Sequence, residues 1–135
     1  WSPDGRYVAY LSADSGQREI YVRPYPGPGS RVTVSVDGGR EPRWAANGDL
    51  TYRSLSGETI FAVTASTVPT LALGTPVPLF RGRFFVAPTG SPRAQYDLTR
   101  DGRLFLMLAP ASASDALAER PRIIVVQHWF SELQR

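Results

Sequence analysis

Three segments of the chain share one pattern, and that pattern constrains the fold more than any other feature. W-S-P-D-G-R-Y-V-A-Y-L-S runs from Trp1, R-W-A-A-N-G-D-L-T-Y-R-S from Arg43, and Y-D-L-T-R-D-G-R-L-F-L-M-L from Tyr96. Each copy centres on an Asp-Gly or Asn-Gly pair: Asp4-Gly5, Asn47-Gly48 and Asp101-Gly102. Such pairs tolerate the positive φ angles of tight turns, and apolar or alternating residues follow each one, so every copy predicts a β-hairpin. The three glycines are 43 and 54 residues apart. A regular spacing of this size indicates a stack of similar supersecondary units.

The strands that follow the turns give each unit its content. Tyr7–Ser12, Leu50–Ser54 and Leu104–Leu108 come first, then Glu19–Arg23, Thr59–Ala65 and Ile123–Trp129, and Arg31–Val36 and Val77–Phe80 supply a further strand to the first two units. No amphipathic helix of ten residues or more is visible. Four strands in about 40–45 residues is the pattern of a β-propeller blade. The expected fold is therefore all-β, a β-propeller fragment of about two and a half four-stranded antiparallel blades. Residues 1–40 form a partial blade, 41–92 a complete blade plus an insertion, and 93–135 a final blade lacking one strand. The insertion falls in the Pro-rich stretch Val68–Pro92, of which Val68–Pro78 is expected to be irregular or edge structure. Trp129–Arg135 is expected to enter a short helix. The chain starts in mid-motif at Trp1, so it is expected to be a piece of a longer protein. So few blades cannot close a ring, and the isolated chain is expected to self-associate through exposed sheet edges.

Composition narrows the chemistry. There is no cysteine, a single histidine (His128), and every one of the fifteen basic residues is arginine. Thiolate metal sites, multi-histidine metal sites, Schiff-base lysines and lysine-dependent nucleotide pockets are all excluded. The longest strongly apolar run, Leu104–Ala109, is far shorter than the roughly 18 residues of a membrane-spanning helix. The arginines are scattered, with no basic helix, so nucleic acid is not an expected partner.

No residue set has the pattern of a catalytic site. Asp4, Asp49 and Asp101 belong to turns, where a short carboxylate bonds backbone amides, and no D-x-D-x-D series accompanies them. His128, Ser131 and Asp115 match a nucleophilic triad in residue type alone, and Ser91 is followed by proline rather than set in a G-x-S-x-G elbow. We expect no catalytic residue, no metal and no cofactor. Arg43, Trp44, Arg53 and Tyr96 lie on or beside inner strands and form the expected ligand-facing set, for a protein, peptide or small ligand. Arg81, Arg83 and Arg93 fall in a stretch without acids between Glu58 and Asp97, a possible anion patch whose competing reading is a row of strand-edge arginines on a solvated face. Most of the aromatic residues are expected to pack between neighbouring sheets.

The W-S-P-D-G-R turn with its apolar strand, followed by E-I-Y-V-R-P-Y-P from Glu19, resembles the TolB-like, WD-repeat-like β-propellers. A narrower resemblance rests on Y-V-R-P-Y-P-G-P-G from Tyr21, E-P-R-W from Glu41 and R-I-I-V-V-Q-H-W-F-S-E-L-Q-R from Arg122. Together these look like the C-terminal sensor propeller of bacterial membrane-anchored serine/threonine protein kinases. That resemblance implies a non-catalytic sensor on the extracytoplasmic side of a membrane, with catalysis belonging to a separate kinase domain. Two other parents are compatible with the repeats: a TolB-like periplasmic interaction module, and the gating propeller of a prolyl-oligopeptidase-type serine peptidase.

Overall fold

In a computed structural model of the chain, residues 1–87, 94–109 and 122–126 are described, and they contain strands and no helix. The order is β1 (Tyr7–Ser12), β2 (Glu19–Pro24), β3 (Val32–Thr33), β4 (Arg40–Trp44), β5 (Leu50–Arg53), β6 (Thr59–Val63), β7 (Ala65–Ser66), β8 (Ala72–Leu73), β9 (Val77–Arg81), β10 (Tyr96–Leu98), β11 (Phe105–Ala109) and β12 (Arg122–Val126). Three antiparallel sheets run in chain order: β1-β2-β3, β4-β5-β6-β9 and β10-β11-β12. The strands β7 and β8 make a separate small hairpin. No sheet closes on itself. No helix of the described residues is long and apolar enough to cross a membrane.

Period-2 side-chain alternation decides how the sheets meet. In β5 all four residues are buried, which requires cover on both faces. Leu50 and Tyr52 point to one side, where Ile20 and Val22 of β2 join them with Val34 and Val63. On the other side Ile60 and Ala62 of β6 meet Tyr96, Phe105 and Met107 of the third sheet. The second sheet is thus the middle layer of three. Within the middle sheet Tyr52 stacks on its cross-strand partner Phe61 at 5.1 Å between centroids, and Phe80 ties that sheet to the third by meeting Phe105 edge-on at 5.2 Å. Sheets one and three each cover the middle layer with one face and leave the other open. Leu106, 45% exposed, and Val125, 49% exposed, mark the open face of the third.

Two strands differ from the sequence expectation for identifiable reasons. In place of Arg31–Val36, β3 spans only Val32–Thr33, because the Ser35 hydroxyl accepts the Ile20 N–H at 2.8 Å where a ladder carbonyl would otherwise stand. In place of one strand over Thr59–Ala65, the chain breaks at Thr64, whose carbonyl accepts the Gly74 N–H at 2.8 Å and starts the β7–β8 hairpin. The Pro-rich insertion therefore contains ordered structure, and its Leu71 and Leu73 pack on the first core. The expected C-terminal helix, and the part of the last strand beyond Val126, lie outside the described residues.

The open faces and the exposed edge strand β3 carry the expectation of self-association. Sedimentation velocity over a dilution series is expected to show a concentration-dependent increase in mass. A single monomeric species at all concentrations would contradict this.

Candidate functional site

The repeated turns are built alike. In the first, Ser2 Oγ donates to Asp4 Oδ1 at 2.6 Å and accepts the Tyr7 N–H at 2.9 Å, while Asp4 Oδ1 also accepts the Arg6 N–H at 3.1 Å. The third turn repeats all three bonds: Thr99 Oγ1 to Asp101 Oδ1 at 2.5 Å, Leu104 N–H to Thr99 at 3.1 Å and Arg103 N–H to Asp101 at 3.0 Å. In the second, Ala45 lacks the hydroxyl, and Asn47 Oδ1 accepts the Asp49 N–H at 3.1 Å in the carboxylate's place. Gly5, Gly48 and Gly102 have φ of 71°, 97° and 71°, the left-handed region that their position requires. The aspartates of the first and third turns thus serve as backbone acceptors, and among the described residues no three His, Cys, Asp or Glu side chains cluster.

These bonds stabilise the ionised carboxylates. Asp4 is lowered from 3.8 to about 2, first by the Ser2 hydroxyl and then by Thr67, and Asp101 is lowered first by Thr99 and then by the Arg103 N–H. A carboxyl whose folded pKa lies below its unfolded one adds stability that is complete above the unfolded pKa and disappears as pH falls through the folded pKa. Urea unfolding midpoints are therefore expected to fall between pH about 4 and about 2, and the Ser2→Ala/Thr99→Ala variant to show a shallower fall. Equal slopes in the two proteins would contradict the assignment.

The three turns converge on one cleft of about 570 Å³. Trp1 and Pro3 come from the first copy, Trp44, Ala45 and Ala46 from the second, and Leu98, Thr99 and Arg100 from the third. Aligned on their glycines, Trp1, Trp44 and Leu98 occupy the same repeat position, as do Pro3, Ala46 and Arg100. The second and third turns are fastened by the Ala46 N–H, which donates to the Arg100 carbonyl at 3.1 Å. The buried Gly102 adjoins Ala45 so closely that a Cβ there would lie 3.3 Å from the Ala45 Cβ. Arg43 and Asp97, one residue before Trp44 and Leu98, complete the lining.

Two of the four expected ligand-facing residues, Arg43 and Trp44, line this cleft. Arg43 Nε and Trp44 Nε1 are buried donors with no hydrogen-bond acceptor among the described residues. Unsatisfied buried donors cost about 1–3 kcal/mol each, so they are uncommon without a purpose.

The other two lie in the interior. Arg53 is fully buried, and its guanidinium donates to the Gly57 carbonyl at 3.0 Å, the Phe85 carbonyl at 3.1 Å and Glu41 Oε2 at 3.3 Å. Glu41 reaches it because β4 carries an irregularity between Arg40 and Arg43, with Glu41 itself at φ 55°. A bulge of this kind re-aims a side chain, here a carboxylate turned toward the buried guanidinium. Glu41 Oε2 also accepts the Gln95 N–H at 3.0 Å, and Oε1 lies 3.2 Å from Arg40 Nε. Tyr96, 3% exposed, donates its hydroxyl to the Glu41 carbonyl at 2.9 Å and lies 3.1 Å from Thr51 Oγ1. Burial pushes its phenol well above the ordinary tyrosine range. Arg53 and Tyr96 therefore hold β4 against β5 and β10, and so fix the strand that presents Arg43 and Trp44.

The arginines of the acid-free stretch are placed separately. Arg81 is bonded to Glu58 at 2.6 Å, since the β6–β9 pairing brings that acid alongside. Arg83 is exposed. Arg93 lies outside the described residues, as do His128, Ser131, Asp115 and Ser91. The sequence expectation omitted Trp1, Pro3, Asp97 and Arg100 from the ligand-facing set. The signal that finds them is the repeat alignment itself, because equivalent positions of successive repeats gather at one end. Comparison with protein-family models and with curated proteins finds no match for the chain.

Proposed function

We propose that the three sheets are consecutive blades of a β-propeller and that the chain is a non-catalytic recognition module, the sensor part of a membrane-anchored bacterial serine/threonine protein kinase. The observation that supports the recognition reading is the gathering of all three repeat turns around one cleft lined by Arg43, Trp44 and Arg100. The run of sheets in chain order, each antiparallel with its strands in sequence order, supports the blade reading. Support for the kinase parent is the sequence resemblance alone. A ligand in the cleft would contact Arg43 and Trp44, with Arg53 and Tyr96 positioning them from behind.

The complete open reading frame around the chain tests the parentage. A kinase domain and one transmembrane segment upstream are the expected result. A signal peptide with only further repeats would replace the proposal with a TolB-like module, and a hydrolase domain downstream would replace it with a gating propeller.

A further inference from the structure

The chemistry of the cleft narrows the ligand class, and the narrowing rests on the recognition reading above. The lining offers donors in excess. Arg43 and Arg100 are permanently charged, and the Trp44 indole can only donate. The buried Arg43 Nε and Trp44 Nε1 have no acceptor among the described residues. Against these stands one acid, Asp97, whose Oδ1 accepts its neighbour Leu98's N–H at 3.0 Å. The lining side chains, two cations and one anion, leave a net positive charge that favours an anionic group. Guanidinium groups pair with carboxylates through parallel N–H bonds. Pro3, Ala45, Ala46, Leu98 and the Trp1 indole add apolar lining, while the Thr99 hydroxyl is already bonded to Asp101 Oδ1 at 2.5 Å.

We propose that this cleft binds a carboxylate-bearing peptide segment, with the guanidinium groups of Arg43 and Arg100 as its carboxylate partners. The carboxylate comes either from a peptide C-terminus or from an acidic side chain, and both present the same group to the arginines.

Three N-acetylated tetrapeptides titrated into the 135-residue chain test this: tetra-alanine with a free C-terminus, its C-terminal amide, and an amide with one alanine replaced by glutamate. Tryptophan fluorescence and the backbone amide shifts of residues 44–48 and 98–102 report binding. The expected result is saturable binding of at least one acid, about tenfold tighter than the neutral amide and weakened by salt. The tighter of the two acids identifies the source of the carboxylate. Arg100→Gln, at an exposed position that leaves the packing intact, and Arg43→Gln are each expected to reduce acid binding about tenfold and leave the neutral amide unchanged. Equal binding of the neutral amide overturns the carboxylate assignment while leaving a recognition site. Absence of binding by all three peptides overturns the proposal, and the open reading frame judges the sensor reading separately.

Discussion

Replacing Arg53 by methionine is expected to lower the unfolding free energy by about 3–5 kcal/mol, the cost of breaking a buried ion pair from one side. The guanidinium is completely buried and reaches the β4 bulge, the β5–β6 turn and the segment at Phe85 together. Its loss leaves the Glu41 carboxylate, 9% exposed, with Arg40 as its remaining charge partner and two carbonyls without this donor. Urea denaturation at one fixed protein concentration measures the effect, because association shifts apparent stability by mass action. The Arg53→Met/Glu41→Gln variant is expected to recover part of the loss, since a neutral amide is cheaper to bury than a carboxylate left with Arg40 alone. A loss below about 1 kcal/mol in the single variant would show that the pair contributes no more than a surface one.

Phe105→Ala is expected to cost about 3–5 kcal/mol as well, by a different route. The ring is fully buried between the second and third sheets, edge-on to Phe80 and within 6.2 Å of Tyr96, with Ile60 and Ala62 in the same cluster. Its neighbour Leu106 points the other way on the same strand and is 45% exposed, so Leu106→Ala is expected to cost under about 1 kcal/mol. The contrast between adjacent residues tests the stacking of the sheets. Similar losses at both positions would mean that the open face of the third sheet is covered in solution.

The hairpins were legible because their cause is local. An Asp-Gly or Asn-Gly pair before an apolar run determines turn and strand through φ alone, and all three glycines have the positive φ that this demands. A fourth turn of the same build escaped notice: at Ser54–Thr59, Ser54 Oγ accepts the Thr59 N–H at 3.2 Å and Ser56 takes the place of the aspartate. Its Ser-Gly pair is a weaker signal than Asp-Gly. The Glu41 bulge was not legible, since nothing in E-P-R-W announces a non-glycine residue at positive φ. Without the bulge Arg53 has no visible partner, and an arginine on an inner strand looks available to a ligand. The burial of Tyr96 was not legible for the same reason, because the Glu41 carbonyl that accepts its hydroxyl is 55 residues away. Arg43 and Trp44 line the cleft because they sit beside a repeat turn, and turns of stacked repeats end on a common side.

Nuclear Overhauser contacts in the 135-residue chain test the central claim most directly, that three repeat units stack in order with their turns meeting at one cleft. The account predicts cross peaks from Ile20 to the Tyr52 ring, from Ile60 to the Phe105 ring, and from the Ala45 methyl to the Gly102 α-protons. A folded chain with the first two contacts but no Ala45–Gly102 contact would contradict the shared cleft, and one lacking all three would contradict the stack.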